Sequence, residues 1–147
     1  MSNRLTIAIF LGFLSSLWIQ NTYACSCVQL TLKEQYQMAE HVFVGRITKA
    51  REIKSRSVNP NWKGVLGEFQ TLQTLKGNPV ALQNIETGYG HGGCGVTLTV
   101  GQAYLFFADR LGSVDICTGS RTFTPGTRED EEILKELKGY IIQHSRP

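Results

Sequence analysis

Four cysteines constrain this chain more than any other feature. Cys25 and Cys27 stand one residue apart, and Cys94 and Cys117 lie far downstream. The stretch Ala24-Cys25-Ser26-Cys27 falls where a secretory leader is cut. Arg4 supplies a basic start, an apolar run covers residues 5–19, and Thr22 and Ala24 form a small-residue cleavage site. The run is shorter than the roughly 20 residues that span a bilayer, which favours a cleaved leader, 1–24, over a membrane anchor. Lipid attachment at Cys25 fits less well. Lipoprotein leaders place Leu three positions before the cut and a small residue two before it, where this chain has Thr22 and Tyr23. The expected mature protein is therefore residues 25–147, one domain, secreted to the extracellular space or periplasm, with no membrane span after cleavage. It would begin with a cysteine that carries a free amine.

An even cysteine count in an oxidising compartment reads as two disulfides. Pairing Cys25 with Cys27 would close a tight, strained ring. Two pairings remain, Cys25–Cys94 with Cys27–Cys117, or Cys25–Cys117 with Cys27–Cys94. Either ties the N-terminus to the middle and end of the domain, and loops this long stabilise by roughly 4 kcal/mol each in the chain-entropy picture. The competing chemistry is a zinc site made by Cys25, Cys27 and Cys94 with His91. Structural zinc sites favour two to four residues between paired cysteines, so Cys-x-Cys is too close. A formal net charge of +3 falls by one with Arg4, too weak a bias to argue for nucleic acid.

Along the mature chain, Thr31-Leu32-Lys33-Glu34 is a capping box, and Leu32, Tyr36 and Ala39 form one apolar face of a short helix ending near Glu40 or His41. Val42, Phe43, Val44 and Ile47 predict a strand over 41–50, with Gly45 marking a bulge or corner. The polar, basic segment 51–67 is either a strand extension with a loose tip or a long loop, and its Arg51, Lys54, Arg56 and Lys63 read first as a solvated face. Further strands are expected over 68–75, 80–87, 96–100, 102–109 and 114–118. Tyr104-Leu105-Phe106-Phe107-Ala108 should be buried on both faces. Segment 88–95 holds five glycines. No Lys-Ser/Thr follows them, so it is not a phosphate loop; glycines there allow close backbone approach and room for a disulfide. His91 alone reads as a loop residue. A closing helix over 130–143, or about 129–143, carries Ile133, Leu134, Leu137, Ile141 and Ile142 as an apolar stripe behind an acidic first turn.

Five or six short strands with flanking helices predict a small β-barrel of α+β content. The five-stranded Greek-key barrel, the OB-fold, matches the size. An immunoglobulin-like sandwich would need more strands and a Cys…Trp…Cys core.

These pieces together resemble the netrin-like domain of the tissue inhibitors of metalloproteinases. The resemblance covers roughly residues 25–120. It rests on Cys25-Ser26-Cys27 followed by a helix, Val42-Phe43-Val44-Gly45-Arg46-Ile47, Leu75-Lys76-Gly77, Cys94-Gly95 and Gly101-Gln102-Ala103-Tyr104-Leu105-Phe106. The distinctive part is the Cys-x-Cys start with two distant cysteines. The resemblance implies the pairing Cys25–Cys94 and Cys27–Cys117, and an OB barrel. It also implies inhibition of a zinc metalloprotease, the partner, by chelation of that protease's zinc through the amine and carbonyl of Cys25. Ser26 would face the primary specificity pocket, Cys27 and Val28 would continue along the cleft, and Gly93 and Cys94 would support the wedge. The vertebrate inhibitors carry a third disulfide here and a second cysteine-rich subdomain. This chain has neither, which implies a minimal, single-domain, bacterial relative acting as a monomer without a cofactor.

Other members of the netrin-like group bind partners without inhibiting proteases, so a non-inhibitory binding module of the cell envelope or matrix is the alternative. Its candidate surface is segment 51–67. An enzyme is not expected: no nucleophile, base and orienting group fall together, and Asp109, Asp115 and His91 form no defensible set.

Overall fold

The computed structural model describes residues 25–54, 63–89 and 93–144. The expected leader, residues 55–62 and His91, for which the sequence raised expectations, lie outside the described residues. Within them the order is α1 (Leu32–Met38), β1 (His41–Lys54), β2 (Lys63–Lys76), a 3-10 turn (Pro79–Ala81), β3 (Ile85–Gly88), β4 (Ala103–Ala108), β5 (Arg121–Thr122) and α2 (Arg128–His144).

The strands form one antiparallel five-stranded sheet in the order β3-β2-β1-β4-β5. Strand β4 returns by a long connection to lie beside β1, which is the Greek-key order. The hydrogen-bonded ladder ends at β3 on one side and β5 on the other. The fold is thus α+β, with an open sheet among the described residues.

Strict alternation places side chains in two cores. Val42 and Val44 of β1 and Ala103, Leu105 and Phe107 of β4 face the helices, against Tyr36, Ala39, Leu134 and Leu137. Phe43, Ile47, Tyr104, Phe106 and Ala108 face the other way, with Ile85, Val96 and Val114. Strand β4 is apolar throughout because both its faces are covered, as expected. Register shifts in the β1–β2 ladder include one between Val44 and Gly45, the bulge that the glycine predicted.

Helix α1 starts as its sequence dictates. Thr31 and Glu34 form the reciprocal capping box, and the bonds from Thr31 hold the Glu34 carboxyl below its ordinary 4.5. The helix stops at Met38, earlier than Glu40 or His41. Ala39 is already extended, and the Glu40 N–H donates to Ala108 O at 2.9 Å, so the sheet claims the chain at once. Lys76 then closes the helix end. Its Nζ donates to the carbonyls of Tyr36, Gln37 and Ala39 at 2.8, 3.1 and 2.6 Å.

The described parts of segment 51–67, residues 51–54 and 63–67, prove to be strand extension. Lys49–Glu68 and Lys63–Glu52 ion pairs, at 3.0 and 2.6 Å, brace this ribbon across its two strands.

Three expected strands are corrected. The strand expected over 80–87 is reduced to Ile85–Gly88; the Pro79 ring fixes φ there, and Leu82 N–H closes a 3-10 turn onto Pro79 O. Over 96–100 there is no strand. Val96 N–H donates to Thr87 Oγ1 at 2.8 Å and Thr99 N–H to Tyr104 Oη at 2.8 Å, while Tyr104 Oη donates to Thr97 O at 2.8 Å, so side chains replace a ladder. Over 114–118 the Asp115 and Thr118 side chains bond the local backbone and make a turn. The short β5 was not anticipated. In α2, Ile142 is exposed, and Tyr140 joins Ile133, Leu134, Leu137 and Ile141 on the packed stripe instead. Among the described residues no helix is long and apolar enough to cross a membrane.

Candidate functional site

Residues 25–30 form no helix and no strand. Two disulfides fix them instead. Cys25 is bonded to Cys94, with Cα atoms 5.5 Å apart, and Cys27 to Cys117, with Cα atoms 5.0 Å apart. Of the two pairings that spacing left open, the molecule contains this one. No cysteine is free, so none of the four offers a thiolate to a metal.

Residues 25–28 alternate. Cys25 and Cys27 are half-buried and turn toward the body, while Ser26 and Val28 are exposed, Val28 at 79%. This is the period of an extended chain. It leaves two side chains outward on a backbone whose other two side chains are covalently pinned.

The anchors are themselves braced. Ile116 N–H donates to Cys94 O at 3.0 Å, joining the loop of one disulfide to the loop of the other. The Asp115–Thr118 turn then holds Cys117: Thr118 N–H donates to Asp115 Oδ1 at 2.7 Å, and Thr118 Oγ1 to Asp115 O at 2.9 Å. Beside Cys94, the backbone of Gly88 runs so close to Gly93 and Gly95 that a Cβ on Gly88 or Gly95 would collide with main-chain atoms. The glycine-rich loop therefore does what its composition suggested, letting two backbone segments touch. Cys94 itself adopts φ +53, the left-handed region that costs a side-chain-bearing residue roughly 1–2 kcal/mol. Such strain persists where surrounding bonds over-determine the backbone, here the disulfide and the Ile116 bond.

All six expected site residues, Cys25, Ser26, Cys27, Val28, Gly93 and Cys94, thus fall in one disulfide-linked cluster. Sequence reasoning missed Ile116. It is 48% exposed, bonded by its N–H to Cys94 and adjacent to Cys117, which makes it an apolar neighbour of the same ridge. Its only sequence signal was adjacency to a cysteine. A cleft of about 300 Å³ opens beside Cys94, between segment 94–97 and β5, over Tyr104. Tyr104 Oη and Ser120 Oγ on its wall already bond Thr97 and Phe107, so they are engaged within the fold.

Neither the protein-family models nor the curated proteins compared with this chain give a match.

Proposed function

We propose that the mature chain is an exported, netrin-like inhibitor of zinc metalloendopeptidases that acts through its first residue. The observation that carries this reading is the double staple at Cys25 and Cys27, with Ser26 and Val28 turned outward between and beyond the bonds. Once a leader is removed before Cys25, its amine and carbonyl oxygen are positioned on one residue to form a five-membered chelate. A catalytic zinc keeps one coordination position open to water, and that position accepts such a ligand. Ser26 then enters the specificity pocket, Cys27 and Val28 follow the cleft, and Gly93, Cys94 and Ile116 form the supporting edge. A segment ordered before binding loses little entropy in the complex.

The same reading takes the open sheet as a Greek-key barrel of the OB type. Residues between the sheet edges support it: Glu86 N–H donates to Gly112 O and Val114 N–H to Glu86 O, both at 2.9 Å, extending β3 toward the far edge.

A neutral amine ligates zinc and an ammonium does not. With an α-amino pKa of about 7.7–8.0, inhibition weakens as pH falls, about tenfold per unit below that range. The decisive experiment titrates a zinc endopeptidase with residues 25–147 and with the same chain carrying one Ala before Cys25. The extra residue is expected to abolish inhibition at unchanged thermal stability. Equal inhibition by both forms rules out chelation.

The second reading, a binding module that inhibits nothing, draws on the β1–β2 ribbon. Strand β4 pairs only with residues His41 to Arg46 of β1, so the ribbon beyond it presents exposed Arg51 and Lys54. Failure of the terminal amine to inhibit leaves this surface as the working site.

A further inference from the structure

Helix α1 shows one polar side chain on its packed face. Leu32, Gln35, Tyr36 and Ala39 recur at the spacing of a buried stripe, and Gln35 is the member that is not apolar. Its amide nitrogen donates to Leu30 O at 3.2 Å. A carbonyl only accepts, so that contact fixes which end of the amide faces Leu30. The amide oxygen is then shut from solvent with no hydrogen-bond partner among the described residues. From the other side, Gly119, at φ +96, lies so close that a Cβ there would strike the Gln35 carboxamide. Gly119 is two residues beyond Cys117, the partner of Cys27.

These contacts close a ring: Cys27 to Cys117 by a disulfide, Cys117 to Gly119 by the chain, Gly119 to Gln35 by packing, Gln35 to Leu30 by a hydrogen bond, and Leu30 back to Cys27. Between Cys27 and the helix cap, residues 28–30 make no backbone–backbone hydrogen bond among the described residues. We infer that Gln35 is a positioning residue that sets the course of Val28, Gln29 and Leu30. It is a third, non-covalent fixing point for the terminal segment. A buried acceptor left without a partner lowers stability, so packing alone does not account for glutamine here; the grip on Leu30 does. Any role in presenting Cys25 to zinc rests on the functional reading above, but the grip itself does not.

The test uses residues 25–147 with both disulfides formed, and compares Gln35→Met and Gln35→Glu with the parent. Methionine keeps the size and helix propensity while removing both the grip and the orphan oxygen. Backbone NMR order parameters of Val28–Leu30 are expected to fall from about 0.85 to below about 0.6 in Gln35→Met, with the unfolding temperature unchanged or raised. Gln35→Glu, which sets a carboxylate against the Leu30 carbonyl, loosens the same residues. Order parameters unchanged in both variants, or lost only in step with the unfolding temperature, overturn the inference. Where the parent inhibits a zinc endopeptidase, Gln35→Met should weaken inhibition about fivefold, the worth of one hydrogen bond. A parent that inhibits nothing, with order still lost in the variants, refutes the inhibitor reading and leaves the role of Gln35 intact.

Discussion

Strand β4 and segment 25–30 are both fixed, but by opposite means. Every residue of β4 is buried, and the strand is laddered to β1 on one side and β5 on the other. Segment 25–30 has no ladder and exposes Ser26, Val28 and Gln29; two disulfides and one side-chain hydrogen bond fix it. Burial immobilises β4 by removing it from reach. Covalent staples immobilise 25–30 while leaving Ser26 and Val28 in solvent. The inhibitor proposed above would need the second kind of order, because the first hides whatever it orders.

That contrast breaks or sharpens in three variants. The largest effect belongs to β4. Phe106 is fully buried, with ring centroids 5.2 Å from Phe43 and 5.4 Å from Tyr104. Phe106→Ala should cost about 3–5 kcal/mol in denaturant unfolding, and a loss under about 1 kcal/mol would mean this face is not packed as described. Next comes the staple. Replacing Cys27 and Cys117 together with Ser should cost about 2–5 kcal/mol and release Ser26–Leu30, seen as narrowed NMR lines there, while β4 amides remain protected in whatever fraction stays folded. If segment 25–30 stays ordered without the bond, burial is holding it after all. The smallest effect is at Val28. Val28→Ser should move stability by no more than about 0.5 kcal/mol and, under the proposed inhibitor reading, change inhibition of a zinc endopeptidase. A large stability loss would show that Val28 is packed, against its exposure.

The sequence made both ends of this contrast legible for separate reasons. The run from Tyr104 to Ala108 could only be a strand covered on both faces, and the capping box at Thr31 announced α1. The cysteine pattern marked 25–30 as a stapled segment, and the glycines of 88–95 marked a close backbone approach. What stayed hidden depended on side chains meeting across the fold. Segment 96–100 has strand composition, but the hydroxyl of Tyr104 takes the hydrogen bonds that a ladder would need. Segment 114–118 was lost to the local bonds of Asp115 and Thr118. Strand β5 is two residues long and has no periodicity to read. Gln35 passed unnoticed because a lone polar residue on a helix stripe looks like a break in the pattern until its partner, a carbonyl five residues earlier, is seen.

The account turns on Cys25 being a bare, doubly braced chain terminus, and the intact mass of the exported protein tests that in one measurement. The predicted value is that of residues 25–147 less four hydrogens, with no added group. A retained leader, a fatty acyl increment on Cys25, or the mass of four free thiols would contradict it.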